Sequence, residues 1–199
     1  MKTIAELRCI PTALALGLAT AAAAEPATFE IDAEHFSIGF LVEHVGYADT
    51  LGQFLEAEGH FVYDESANEL KSGEVTIEAD SVFTNHERRD EHLRGGDFLD
   101  AGDHDSIRFE ATDWQPSEDN PERGTLEGEL TLLGKTRPVA LEVTINKAAE
   151  YPFGHGEYTL GISARTTIER SEWGMTYGVD KNLVGDEVEL MFELEANRQ

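Results

Sequence analysis

The chain has 199 residues, one cysteine, and 40 acidic against 15 basic side chains, for a formal net charge of −25. A field of that sign repels nucleic acid and anionic membrane surfaces, so neither is expected as a partner. Hydrophobic residues make up 40% of the chain; a domain of this length buries about two-thirds of its unfolded surface and needs no disulfide to fold.

The first element is a leader. Lys2 and Arg8 supply a positive start, diluted by Glu6, and an apolar run follows from Cys9 to Ala24. Ala22-Ala23-Ala24 before Glu25 suits a small-residue cleavage site, so residues 1–24 are predicted to be a signal peptide. The run is shorter than the ~20 residues of a spanning helix. Cys9 stands at its front rather than its end, which argues against a lipid-modified cysteine. Cleavage leaves residues 25–199 as one domain with no thiol, and removes a net charge of +1. Lysine is confined to Lys2, Lys71, Lys135, Lys147 and Lys181, a composition like that of salt-adapted proteins.

From there the hydrophobic period is two. Phe36, Ile38, Phe40 and Val42 form one series, Leu55, Ala57, Gly59, Phe61 and Tyr63 the next, then Val75, Ile77 and Ala79. Ile107, Phe109 and Ala111 follow, then Leu126, Leu130 and Leu132, and Val139, Leu141, Val143 and Ile145. Tyr158, Leu160, Ile162 and Ala164, with Val188, Leu190, Phe192 and Leu194, complete the set. Such alternation describes strands with one dry and one wet face. Eight or nine antiparallel strands result, and spacing alone admits either a sandwich or a closed barrel.

One segment interrupts the strands, Ser81–Asp100. Thr84 and Glu87 have the spacing of a capping box, and Gly95-Gly96 predicts a left-handed helix end. The helix between is too polar for a core element, with Leu93 its only apolar residue, so it is expected to cover something, pinned by Phe98 and Leu99. Asp90 and Arg94 are spaced for an i,i+4 ion pair.

Catalytic patterns are weak. His86-Glu87-Arg88-Arg89-Asp90 has Asp where H-E-x-x-H has its second histidine, and no third ligand stands at a fixed spacing. Asp97, Asp100, Asp103 and Asp105 do not follow the order of an EF-hand loop. No nucleophile elbow or phosphate-cradling glycine loop is present. The sequence therefore assigns no catalytic residue, no metal site and no cofactor.

Several blocks occur in the order of a known family. They are His35-x-Ser37, Phe40-x-Val42-x-His44, Gly52-x-Phe54, residues 81–100, Gly128-x-Leu130-Thr131-Leu132-x-Gly134 with Pro138-Val139, Arg170-Ser171-Glu172-Trp173-Gly174-Met175 and Gly185-Asp186-Glu187-Val188. Together they resemble the YceI family of periplasmic, lipocalin-like, polyisoprenoid-binding proteins. Departures are Glu172 for Asp, Trp173 for Phe, and His104-Asp105 where an aromatic-Pro pair is common. The resemblance implies an all-β fold: a closed antiparallel eight-stranded barrel with a short capped helix near residues 85–94. It also implies a periplasmic, non-catalytic binder of a polyprenyl or quinone-type lipid, not membrane-spanning and compatible with a homodimer.

An eight-stranded barrel either fills its interior or holds one small ligand. Small residues on inward parity, Ala57, Gly59, Ala79, Ala111, Gly128 and Ala164, would leave room, unless the glycines only mark strand bends. A lipid would then lie against Phe36, Ile38, Phe40, Val42, Gly59, Phe61, Leu160 and Ile162, with Leu93 and Phe98 at the lid. A bulky residue at Gly59 is expected to fill the lumen. His44 shares the inward parity of Phe40 and Val42, either as a head-group contact or as a buried histidine bonded to backbone. Arg89 and Asp90 are further mouth candidates, and Trp173 and Met175 either line an opening or bury themselves. A barrel filled by its own side chains, structural or stress-protective in role, is the alternative.

Overall fold

The computed structural model describes residues 25–199; the expected leader lies outside the described residues. The strands are β1 (Ala27–His44), β2 (Ala48–Phe54), β3 (Ala57–Asp64), β4 (Glu69–Glu78), β5 (Val82–Phe83), β6 (Ser106–Pro116), β7 (Arg123–Leu132), β8 (Lys135–Glu150), β9 (Tyr158–Glu169) and β10 (Val184–Arg198). A short helix, α1 (Glu87–Arg94), separates β5 from β6. Every pairing is antiparallel. Neighbours run β10-β9-β8-β7-β6-β4-β3-β1, and β1 pairs back onto β10, so the barrel closes. The C-terminal half of β1 pairs with β2 and its N-terminal half with β3, making those two strands successive parts of one stave. β4 and β5 share a stave in the same way. Eight staves result, and the β1–β10 pairing removes the long free edges an open sheet would have.

The break between β2 and β3 corrects the parity expected from sequence. Alternation puts Leu55 in series with Ala57 and Gly59, yet it is 56% exposed. The Ser81 hydroxyl accepts the amides of Leu55 and Glu56 at 3.1 and 3.2 Å and donates to the Glu78 carbonyl at 2.7 Å. The Leu55 amide also reaches the Ser81 carbonyl at 3.2 Å, and with the Glu56 amide taken by a side chain the stave advances one residue out of phase. Phe54 before the break and Ala57 after it both face inward.

α1 differs from its expected capping. Its N-cap is His86, without a side-chain hydrogen bond, and Thr84 caps nothing. Thr84 instead donates its amide (2.8 Å) and its hydroxyl to the buried Asp90 carboxylate. Arg89 donates to the Thr84 hydroxyl at 2.7 Å and to its carbonyl. The Asp90–Arg94 ion pair does not form, because Arg94 donates to the carbonyls of Asp80 and Val82 at 2.6 and 2.9 Å. A polar helix is thereby fastened to β5 by its charged side chains. Gly95 at the C-cap has φ −76°, not left-handed; its amide reaches the His92 carbonyl. Phe98 and Leu99 are buried in the main core, as expected of the hook.

Candidate ligand-binding cavity

Most of the core lines an interior space rather than filling it. A cavity of about 410 Å³ occupies the half of the barrel beneath α1, and a second of about 140 Å³ lies beyond it. Ile77 and Phe192 line both and form the waist between them. The larger volume falls within the range of small-molecule sites. Its wall is apolar, built from inward residues of the staves such as Ile38, Phe40, Phe54, Ile107 and Leu130. At the surface it meets Glu43, His44, Val45, Arg89, His92, Tyr177 and Leu183.

The far chamber is bordered by a second packed cluster, and His60 and Glu74 on its wall reach the surface. Phe29 and Leu160 are fully buried there, and Phe29 stacks on Phe61 with ring centres 5.2 Å apart. Asn68, in the left-handed region at φ 52°, gathers the remaining polar groups. Its Oδ1 accepts Tyr63 (2.6 Å) and Trp114 (2.8 Å), and its Nδ2 donates to the Pro121 carbonyl (2.9 Å). Trp114 points inward only because β6 bulges between Ala111 and Asp113; straightforward alternation would have put Asp113 there.

The expected site residues divide between the two chambers. Ile38, Phe40, Val42, His44, Arg89, Leu93, Phe98 and Met175 line the larger, and Phe61, Leu160 and Ile162 the smaller. Phe36, Gly59, Asp90 and Trp173 line neither. Phe36 packs on the main core beside a bulge. Asp90 is held by Thr84, and Trp173 is buried with its indole N–H on the Leu130 carbonyl at 3.0 Å. A Cβ on Gly59 would meet the Glu74 carbonyl oxygen at 2.5 Å, so that position has no spare room. Gly128 is not spare volume either, since the Phe109 ring lies where its side chain would be. Ala111 and Ala164 do open space, in the smaller chamber. His44 is exposed at the mouth, contrary to the buried, backbone-bonded reading. His86 is likewise exposed while Asp90 is buried against Thr84, so the two do not form a metal pair.

The sequence does not mark Arg170 as a site residue, although it opens the Arg170–Met175 block. It is 2% exposed and donates to the carbonyls of Gly185 (2.7 Å), Met175 (2.7 Å), Tyr177 (2.9 Å) and Val184 (3.0 Å). Its guanidinium carbon also stands 5.7 Å from the centre of the Phe98 ring. Burial draws its pKa down while Asp186 draws it up, and a guanidinium so placed stays charged. Ser171 and Gly174 also shape the turn. Ser171 donates its amide and hydroxyl to Asp186 at 2.9 and 2.7 Å, and Gly174 closes the turn at φ 91°. The loop that results carries Met175, Tyr177 and Leu183 to the mouth. There His92, Phe98 and Tyr177 form a ring cluster with centres 5.0 to 5.2 Å apart, and His92 bonds Asp97 at 2.9 Å.

A closed eight-stranded barrel around an apolar cavity with a polar-rimmed mouth defines a lipocalin-like protein. The chain belongs to the YceI-like family, whose domain matches residues 29–196. A UPF0312 protein of Pseudomonas paraeruginosa is 36% identical over 191 residues, 94% of this chain and 96% of its own length. The YceI protein of Campylobacter jejuni is similar in structure at a TM-score of 0.70 and 27% identity, over 79% of this chain and 90% of its own. A polyisoprenoid binding domain from Saccharophagus degradans, implicated in plant cell wall breakdown, shares the fold at a TM-score of 0.62 and 13% identity, over 88% of this chain and all of its own. Among the described residues, no helix is long and apolar enough to cross a membrane.

Proposed function

We propose that this protein is an exported, periplasmic binding protein that holds one isoprenoid lipid, a polyprenyl or quinone-type chain, in its barrel without chemical change. The observation that carries this reading is the apolar cavity of about 410 Å³ adjoined, across Ile77 and Phe192, by one of about 140 Å³. An apolar space in two adjoining chambers suits a flexible hydrocarbon chain better than a compact polar metabolite. Each five-carbon unit contributes up to ~4 kcal/mol, at ~0.8 per buried carbon. Ordering of the chain offsets part of that gain, and net affinities stop near ~20 kcal/mol. His44, Arg89, His92 and Tyr177 supply the polar rim for a head group. The description of the Saccharophagus degradans domain as polyisoprenoid-binding supports the ligand class, and the apolar run before Glu25 supports export.

The test is solvent extraction of protein purified from its native host without detergent, followed by mass spectrometry. One isoprenoid lipid species near one equivalent is expected. Val188→Trp, which places an indole in the larger chamber, should lower that occupancy in a folded variant. Folded wild-type protein free of lipid, or full occupancy in Val188→Trp, would overturn the assignment.

A further inference from the structure

β1 loses register with β10 between Ile31 and Phe36: five steps along β1 correspond to two along β10, from Ala196 to Leu194. The extruded residues Asp32–His35 lie beyond the pairings of β1 with β3, which end at Glu30, and before those with β2, which begin at Ile38. Bulges of this kind re-aim side chains. This one sets Asp32 and His35 side by side, opposite Glu195.

We propose that Asp32, His35 and Glu195 form a binding site for a divalent first-row transition ion such as Zn²⁺ on the outer seam of the barrel. His35 Nδ1 is 2.9 Å from Asp32 Oδ2 and 3.9 Å from Glu195 Oε2. One donor atom from each residue lies within 4.8 Å of the others. An ion bound at ~2.0–2.2 Å holds neighbouring donors roughly 3 to 3.5 Å apart, so small side-chain movements complete the triangle.

A second observation points to a missing cation. Glu195 Oε2 itself is buried and accepts no well-formed hydrogen bond among the described residues, while the rest of the side chain is 34% exposed and the Tyr151 hydroxyl reaches the same carboxylate. Burying one carboxylate oxygen unpaired, facing another carboxylate, is costly. A histidinium beside these acids would offset it weakly, because His35 is 45% exposed and pairs of that exposure contribute little. Asp32 is already oriented by other groups. Its Oδ1 accepts the Glu34 amide at 2.8 Å, and Asn197 Nδ2 stands 3.4 Å from Oδ2. Supports of this kind fix a ligand for its metal.

The donors also select the ion. Two carboxylates neutralise a divalent charge, and the imidazole nitrogen disfavours Ca²⁺ and Mg²⁺ relative to Zn²⁺, Cu²⁺ or Ni²⁺. Three protein ligands leave positions for water. Because the ligands come from β1 and β10, the ion would clasp the seam where the barrel closes. This inference is independent of what the lumen holds.

The test is calorimetric titration of chelator-treated protein with Zn²⁺, alongside its thermal midpoint. The chain has 7 histidines among many acids, so His60→Ala, beside Glu74 on another part of the wall, controls for unspecific surface binding. Wild type and His60→Ala should bind one equivalent and melt at higher temperature with Zn²⁺. His35→Ala and Glu195→Gln, confirmed folded by circular dichroism, should bind more than about tenfold more weakly and lose the thermal shift. One-equivalent binding that persists in folded His35→Ala, or wild type that binds no more tightly than His35→Ala, would overturn the site.

Discussion

Replacing Arg170 by methionine tests whether the mouth is built or merely adjacent to the barrel. Methionine keeps the length of the apolar stem, so the cavity term is small and the loss falls on hydrogen bonds. Four carbonyls, those of Gly185, Met175, Tyr177 and Val184, lose a charged donor. Each such bond is worth ~1.5–3 kcal/mol, but removal also returns the cost of burying the guanidinium. The Tyr177 end is exposed, and water can replace the donor there. A net loss of about 3 kcal/mol follows, at the lower end for breaking a buried charged network. For a chain of this size that is a fall in Tm of roughly 6 to 12 °C. Urea denaturation at fixed salt measures the free energy directly. Arg170→Lys should recover less than half, because an ammonium has three donors and no planar fork. A loss under about 1 kcal/mol, or a lysine variant equal to wild type, would show that the turn holds its shape without this side chain.

Gly59→Phe should destabilise by at least ~1–3 kcal/mol without emptying the lumen, since its Cβ would meet the Glu74 carbonyl at 2.5 Å; unchanged stability would refute that contact. The Tyr158 hydroxyl donates to Glu65, and this bond, helped by burial, pushes its pKa up to about 12. The protonated phenol therefore stabilises the fold fully below the unfolded value near ~10, and that contribution disappears as pH rises through about 12. Tyr158→Phe should flatten the alkaline limb of a stability-versus-pH curve, and an unaltered slope would exclude the bond. With a net charge of −25, the midpoint of thermal unfolding should climb as salt shortens the Debye length from ~30 Å at 0.01 M to ~3 Å at 1 M. A flat or falling curve would sink the idea of a surface adapted to salt.

Alternation carried most of the architecture because a strand's inward face is a local property. Phe36 to Val42, Val75 to Ala79 and Val188 to Leu194 all fall on the side that parity predicts. Parity fails wherever something from outside the strand intervenes. The Ser81 hydroxyl shifts the phase at Leu55, and the bulge before Asp113 turns Trp114 inward. Thr84 and Glu87 have the spacing of a capping box, but Arg89 donates to the Thr84 hydroxyl oxygen, the atom that would accept a helix amide, while Thr84 donates its own amide and hydroxyl to Asp90. The mouth was half legible. His44, Arg89 and Met175 follow from position, whereas Arg170 acts through carbonyls that carry no sequence signal. Glu195 meets His35 only because the first and last strands close the barrel, which spacing along the chain does not encode.

The rings that lie where glycine side chains would be have a further consequence. Phe40 sits over Gly52, directly across the β1–β2 ladder, while Phe109 covers Gly128 and Trp114 covers Gly124 on the diagonal between β6 and β7. A closed sheet can in principle be assembled with its staves displaced, because backbone hydrogen bonds are indifferent to which residues they join. A displaced stave would drive each ring into a neighbour that has a side chain. These three contacts therefore act as index marks: they admit one alignment of the staves and make the misaligned barrels too crowded to close.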